Sequence, residues 1–166
     1  MVAGKKHWCR YLVNFGLLIV LFSGIHWYQT RHVISGAAPD IEAIALKGKV
    51  LSLREMRGRP VLVHFWATWC PVCKLENAAI ESIARKYAVL SVVIDDTEVD
   101  VVVKYMEKHQ LTYPTVHDPS AEIALRYGVT GVPASFIIDG EGNVRFVEVG
   151  YTSGPGLRAR LWWAGL

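Results

Sequence analysis

The chain has 166 residues, room for one domain and an appendage. Its net charge of +3 is concentrated: Lys5, Lys6, Arg10 and Arg31 flank one apolar run, and the remainder sets 14 basic residues against 15 acidic ones. That near-neutral balance argues against nucleic acid as a partner, and three cysteines are too few for a disulfide-stapled scaffold.

Residues 11–30 hold no Lys, Arg, Asp or Glu and include Leu17-Leu18-Ile19-Val20-Leu21-Phe22. Twenty helical residues span about 30 Å, the thickness of a bilayer core. Trp8 and Tyr11 at one end, and Trp27 and Tyr28 at the other, stand where an aromatic belt would. Lys5, Lys6 and Arg10 place residues 1–10 in the cytoplasm by the positive-inside rule, and the C-terminal domain lies across the membrane. Arg31, Asn14 and His26 weaken the pattern. A cleaved signal peptide is the competing reading, with Ser35-Gly36-Ala37 as a small-residue cleavage site. Both readings export the domain. A buried soluble helix leaves the aromatic and basic flanks unexplained. Cys9 precedes the run and is read as an incidental thiol at the membrane edge.

Residues 31–42, with Ser35, Gly36 and Pro39, read as a tether, and the folded domain is expected over 43–166. Val50 to Leu53 is a short strand, and Gly58-Arg59-Pro60 a turn. Val61-Leu62-Val63-His64-Phe65-Trp66 is near-continuously apolar, as suits a strand covered on both faces. A helix runs from Pro71 to about Tyr87, then a second apolar strand over Val89 to Ile94. Asp96 or Thr97 is a candidate cap for a helix running to His109. The acidic residues there, including Glu98 and Asp100, read as a solvated cap suited to the helix's positive end rather than a metal site. A short helix over Ala121 to Tyr127 ends at Gly128. Ala134 to Ile138 and Val144 to Val149 flank Asp139-Gly140-Glu141-Gly142-Asn143, a hairpin signature. A last helix runs from Gly154 to about Trp163, where Trp162 and Trp163 read as packing residues. The order β-α-β-α then β-β-α predicts an α/β sheet with helices on both faces.

Trp69-Cys70-Pro71-Val72-Cys73 carries the chemistry. A bridge closing so short a loop adds little stability, so its use is to open and close. The thiolate is the reacting species in disulfide exchange. Cys70 sits at a helix start, where free backbone N–H groups and the helix dipole favour negative charge, and Pro71 suits the first helical turn. Cys70 is therefore the expected exposed, attacking thiol and Cys73 the shielded, resolving one. A zinc half-site would need two further ligands, and neither a second cysteine pair nor a paired histidine spacing supplies them.

Glu76 shares a helical face with Ile80, Ile83, Ala84 and Tyr87. A carboxylate on a core-facing stripe should hold its proton more tightly and could exchange it with Cys73. The alternative is a rim position that reaches water or a basic partner. Pro133 opens an apolar strand, as proline in a sheet does, and X–Pro bonds are where cis is accessible. A cis bond would turn the Val132 backbone toward an extended substrate segment; a trans proline at a strand start is the plainer reading.

The stretch from about Ala43 to Val149 resembles the thioredoxin superfamily, in particular membrane-tethered TlpA-like proteins. These include the cytochrome c maturation thioredoxins of DsbE type, and the nearest resemblance is to the suppressor-of-copper-sensitivity protein D type. The carrying residues are Val63-His64-Phe65-Trp66-Ala67-Thr68-Trp69-Cys70-Pro71-Val72-Cys73-Lys74-Leu75-Glu76 and Gly131-Val132-Pro133. The resemblance implies a thioredoxin fold, nucleophilic Cys70, resolving Cys73 and a cis Pro133 beside them. Glu76 matches the acidic residue that TlpA-like proteins carry after the pair. His64 stands where thioredoxins place a buried Asp, and reads either as a satisfied core histidine or as a titrating neighbour. Pro71-Val72 also departs from thioredoxin's Gly-Pro. Trp69 is a candidate docking aromatic, and Trp66 a shield for the pair.

The expected protein is a single-pass, inner-membrane thiol–disulfide oxidoreductase with its domain in the bacterial periplasm. It acts without cofactor or metal on protein thiols and disulfides, in the reducing direction. A membrane thiol–disulfide donor then re-reduces it, since the periplasm is kept oxidising. Site residues are Cys70, Cys73 and Glu76 for catalysis, and Trp69, Pro71, Val132 and Pro133 for substrate. A copper(I)-binding or delivery module using the same cysteines is the alternative. A thiol peroxidase would need a Thr or Arg partner in a defined place; Thr68 lies two residues before Cys70, not three.

Overall fold

A computed structural model describes residues 8, 11, 14–18, 20, 21, 24, 34 and 36–166. The chain forms two compact units, Met1–His32 and Val33–Leu166. The described residues of the first are helical, and among the described residues no helix is long and apolar enough to cross a membrane. Most of the expected anchor at 11–30, with Trp27 and Tyr28 and the basic flanks, lies outside the described residues.

The second unit is built on a strand in which all six residues are buried, Val61–Trp66. Strands are β1 (Gly36–Ala37), β2 (Glu42–Ile44), β3 (Val50–Ser52), β4 (Val61–Trp66), β5 (Ala88–Val93), β6 (Thr115–His117), β7 (Ala134–Ile138) and β8 (Asn143–Val149). Helices are α1 (Pro71–Ala84), α2 (Val99–Lys108), α3 (Glu122–Arg126) and α4 (Gly154–Ala164). Six strands form one sheet in the order β1-β8-β7-β4-β5-β6; β2 and β3 pair separately. β4 runs parallel to β5 and antiparallel to β7, so the sheet is mixed. This is the thioredoxin-like α/β architecture.

The alternation of β4 explains its two-sided burial. Val61, Val63 and Phe65 join the core under α3 and the 41–53 segment, with Ile41, Leu51, Ile123 and Tyr127. Leu62 and Trp66 join the other core, with Ile80 and Ile83 of α1, Val102 of α2 and Leu157 and Leu161 of α4. The polar side chains of β4 are matched to partners on the neighbouring strands. His64 Nδ1 lies 2.9 Å from Ser135 Oγ, and Trp66 Nε1 donates to Ser91 Oγ at 2.6 Å. Buried polar groups persist where they are paired, and these are.

The fold differs from the sequence reading in several places. β6 is a strand of three residues after Pro114, too short to show a period, and it exists because it pairs with β5. α2 is capped at Glu98 rather than Asp96 or Thr97, and no side-chain cap bond forms. The stretch read as a tether enters the fold: β1 pairs with β8, and Ile41 is fully buried.

Candidate active site

β4 delivers the chain to the site and α1 carries it away. Between them Thr68 is pinned from the neighbouring strand: its N–H donates to Asp95 Oδ2 at 3.0 Å, and its hydroxyl donates to the same oxygen. Asp95 lies just past β5 and is buried. Burial works against its charge, but the hydrogen bonds from Thr68 and Thr97 outweigh it and hold the carboxyl below its ordinary range. Sequence reasoning misses Asp95. Its signal is an acidic residue at the carboxyl end of a buried parallel strand, where functional and positioning groups of open α/β sheets collect.

Cys70 is the N-cap of α1, in extended conformation, with Pro71 in the first turn. Cys70 and Cys73 form a disulfide with Cα atoms 5.3 Å apart. The Cys73 N–H donates to Cys70 Sγ at 3.1 Å. That bond, with the helix dipole, would stabilise a thiolate on Cys70 once the bridge opens. No acidic side chain occupies the first turn of α1 to compete for that positive end. Cys70, expected to be exposed, is instead buried in the disulfide form, keeping only 3% of its surface, and Cys73 keeps none, because the bridge packs under the Val132–Pro133 loop. Access to sulfur is therefore narrow and one-sided.

The far wall is the loop before β7. The Val132–Pro133 peptide bond is cis, and Cys70 Sγ lies 3.7 Å from the Val132 carbonyl oxygen. Val132 is half-buried and packs against both cores; Pro133 is buried. Around the rim, Trp69 is 66% exposed and Pro71 is exposed, while Trp66 is fully buried beneath. Cys70, Cys73, Trp69, Pro71, Val132 and Pro133 thus converge on one locality. Trp162 and Trp163 do not join it and are exposed rather than packed.

Glu76 is buried on the core-facing stripe of α1. Its Oε1 accepts from the Thr152 N–H, just before α4, and its Oε2 has no hydrogen-bond partner. Desolvation pushes its pKa up to about 7, against the lowering influence of Thr152. A carboxyl that titrates near neutrality, one helical turn beyond Cys73, suits proton exchange. No sequence signal marks Thr152, because it lies 76 residues away. His64 is buried, bonded to Ser135, and pushed down to about 4 by desolvation. It is a neutral core histidine.

The AhpC/TSA family model matches residues 34–147. The chain is 32% identical over 128 residues to thiol-disulfide oxidoreductase ResA of Bacillus thuringiensis, covering 75% of this chain and 74% of that one. It is 31% identical over 150 residues to a thioredoxin-like protein of Haemophilus influenzae, covering 89% of each. Among solved structures, the Chlorobium tepidum protein described as a thiol:disulfide interchange protein DsbE superposes with a TM-score of 0.72 at 26% identity, covering 80% of this chain and 98% of that one. The chain belongs to the AhpC/TSA family of the thioredoxin superfamily and carries the close cysteine pair of a ResA/DsbE-type thiol–disulfide oxidoreductase.

Proposed function

We propose that this chain is a membrane-tethered reductant of protein disulfides in the bacterial periplasm. One observation carries the exchange chemistry: a disulfide at the first turn of α1, with its outer sulfur beside the Val132 carbonyl at the rim and its inner sulfur fully buried. An extended substrate segment laid along Gly131–Val132, over Trp69, brings its disulfide to Cys70. The Cys70 thiolate attacks one substrate sulfur and releases the other as thiolate. Cys73, deprotonated toward Glu76, then attacks Cys70 Sγ. The bridge re-forms and the substrate leaves as a dithiol, two electrons having passed to it.

The reducing direction is supported by Glu76, the acidic residue placed as in TlpA-like proteins. The membrane tether is supported by the uncharged run 11–30 with its basic and aromatic flanks. Both cysteines return to the dithiol by accepting electrons from a membrane thiol–disulfide donor.

Trapping tests the roles. Cys73→Ser should accumulate mixed disulfides on Cys70, identified by mass spectrometry, while Cys70→Ser should accumulate none. The opposite pattern reverses the assignment. Direction is read by equilibrating the chain with glutathione; a potential more oxidising than that couple defeats the reductant reading. The copper-tolerance reading is checked on the same reduced protein, where retention of copper(I) against a chelator would favour delivery by the two thiolates. Hydrogen peroxide should be consumed no faster than by free thiol, since the Thr68 hydroxyl is engaged by Asp95.

A further inference from the structure

The end of the sheet opposite the disulfide carries a surface that exchange chemistry does not use. β4 and β5 begin there, and α1 ends there. A cleft of about 690 Å³ opens between these ends and the β2–β3 connection. Lys47, Lys49, Arg59, Arg85 and Lys86 line it, and no Asp or Glu does. None of these five is in an ion pair among the described residues. The nearby Glu81 carboxylate is held by the N–H and hydroxyl of Thr112. Like charges around one cleft repel, and an anionic partner relieves them.

Arg59 also lines a second cleft at this end, with Pro60, Trp163 and Leu166. α4 reaches there because Gly165 lies against Pro60. Trp162, Trp163 and Leu166 are 60%, 61% and 85% exposed. Two acidic side chains line this second cleft. Asp139 accepts from the Glu141 and Asn143 N–H groups of its own turn and sits 3.9 Å from Arg145, leaving Glu141 as the exposed one. Exposed indoles beside lysines and arginines suit a lipid headgroup layer, where the rings sit at headgroup depth and the cations meet phosphates.

The chain enters the folded unit at this same end, where the Ala38 N–H donates to the Gly142 carbonyl and β1 pairs with the start of β8. Only residues 31–35 separate the uncharged run from β1.

We infer that this end of the domain docks on a bilayer surface containing anionic phospholipid. The five cations lie over lipid phosphates, Trp162 and Trp163 sit at headgroup level, and the Cys70–Cys73 disulfide points away from the membrane. The inference rests on the membrane-tether reading of the proposed function. It also sets a requirement on the electron donor. With β4 upright on the surface, the donor's thiols must stand about 20 Å above it, the length of that strand.

The test uses the full chain in nanodiscs of phosphatidylcholine, with or without phosphatidylglycerol, with hydrogen exchange read by mass spectrometry. Peptides covering 45–51, 84–89 and 161–166 should exchange about tenfold more slowly when phosphatidylglycerol is present, an effect within reach of five basic side chains at the surface. The slowing should vanish at high salt and in a Lys47→Glu/Lys49→Glu/Arg85→Glu/Lys86→Glu variant that still reduces insulin. Trp162→Ser/Trp163→Ser should lose it at 161–166. Equal exchange in the two lipids overturns the inference. So does the same protection from inorganic phosphate added to the chain in detergent, which would make the cleft a soluble-anion site. A chain that fails to enter neutral nanodiscs overturns the tether reading and this inference together; one that enters without lipid-dependent protection overturns this inference alone.

Discussion

Two buried titratable residues act on stability in opposite senses. Glu76 is raised from 4.5 to about 7, so the folded state holds its proton more tightly than the unfolded chain. Its contribution is full below pH 4.5 and declines by roughly 3 kcal/mol as pH rises to about 7. His64 is lowered from 6.5 to about 4, so its contribution is full above pH 6.5 and is lost, by roughly 3 kcal/mol, as pH falls toward 4. Across pH 4.5 to 6.5 the two slopes nearly cancel. Denaturant unfolding of the oxidised protein should therefore be flat in that window. Glu76→Gln should expose the histidine slope, with stability climbing as pH rises, and His64→Gln should expose the glutamate slope, with stability falling. A Glu76→Gln profile that matches the parent would show that Glu76 is not a buried acid of raised pKa.

At the scale of elements, the site is held by contacts between neighbours that the sequence separates. The Thr68–Asp95 bonds tie the β4–α1 loop to the end of β5. Asp95→Asn keeps the shape and removes the charge, and should lower stability by about 2 kcal/mol, read from the chemical denaturation midpoint. The start of α4 bears on Glu76 through Thr152, and Ser153 caps that helix by accepting from the Gly156 N–H at 3.3 Å. Ser153→Ala should cost about 1 kcal/mol. It should also shift the pH dependence assigned to Glu76, which a purely structural cap would leave alone. β4, α1, β5 and the β7–β8 hairpin are legible from their periods and turn residues. β6 is not, because three residues carry no period and it is pairing, chiefly with β5, that makes them a strand.

For the whole molecule, the open question in the sequence is where the folded unit begins. β1 and Ile41 place that start before residue 43, within the stretch that reads as a linker. Ile41→Ala should destabilise the domain by about 3 kcal/mol by leaving a core cavity, whereas Ile44→Ala, 70% exposed, should change it by less than about 0.5 kcal/mol. Equal, small effects at both positions would return residues 36–42 to the status of a tether. The two ends of the unit also differ in kind. One presents a nearly closed disulfide under an exposed indole; the other gathers cations and tryptophans.

The sequence by itself determined the chemistry and the frame that holds it. Two cysteines at helical spacing, behind a six-residue apolar strand, name both the reacting atoms and their place at a helix start, because these are local properties of adjacent residues. The position of Glu76 on the buried stripe of α1 is local in the same way. What only the tertiary structure decided depends on residues far apart in the chain. The Val132 carbonyl comes to Cys70 across 62 residues, Asp95 to Thr68 across 27, and Thr152 to Glu76 across 76. No period or motif records such pairings. They arise when β4 lies between β5 and β7, because sheet order brings together the loops at the carboxyl ends of β4 and β5 and the start of β7.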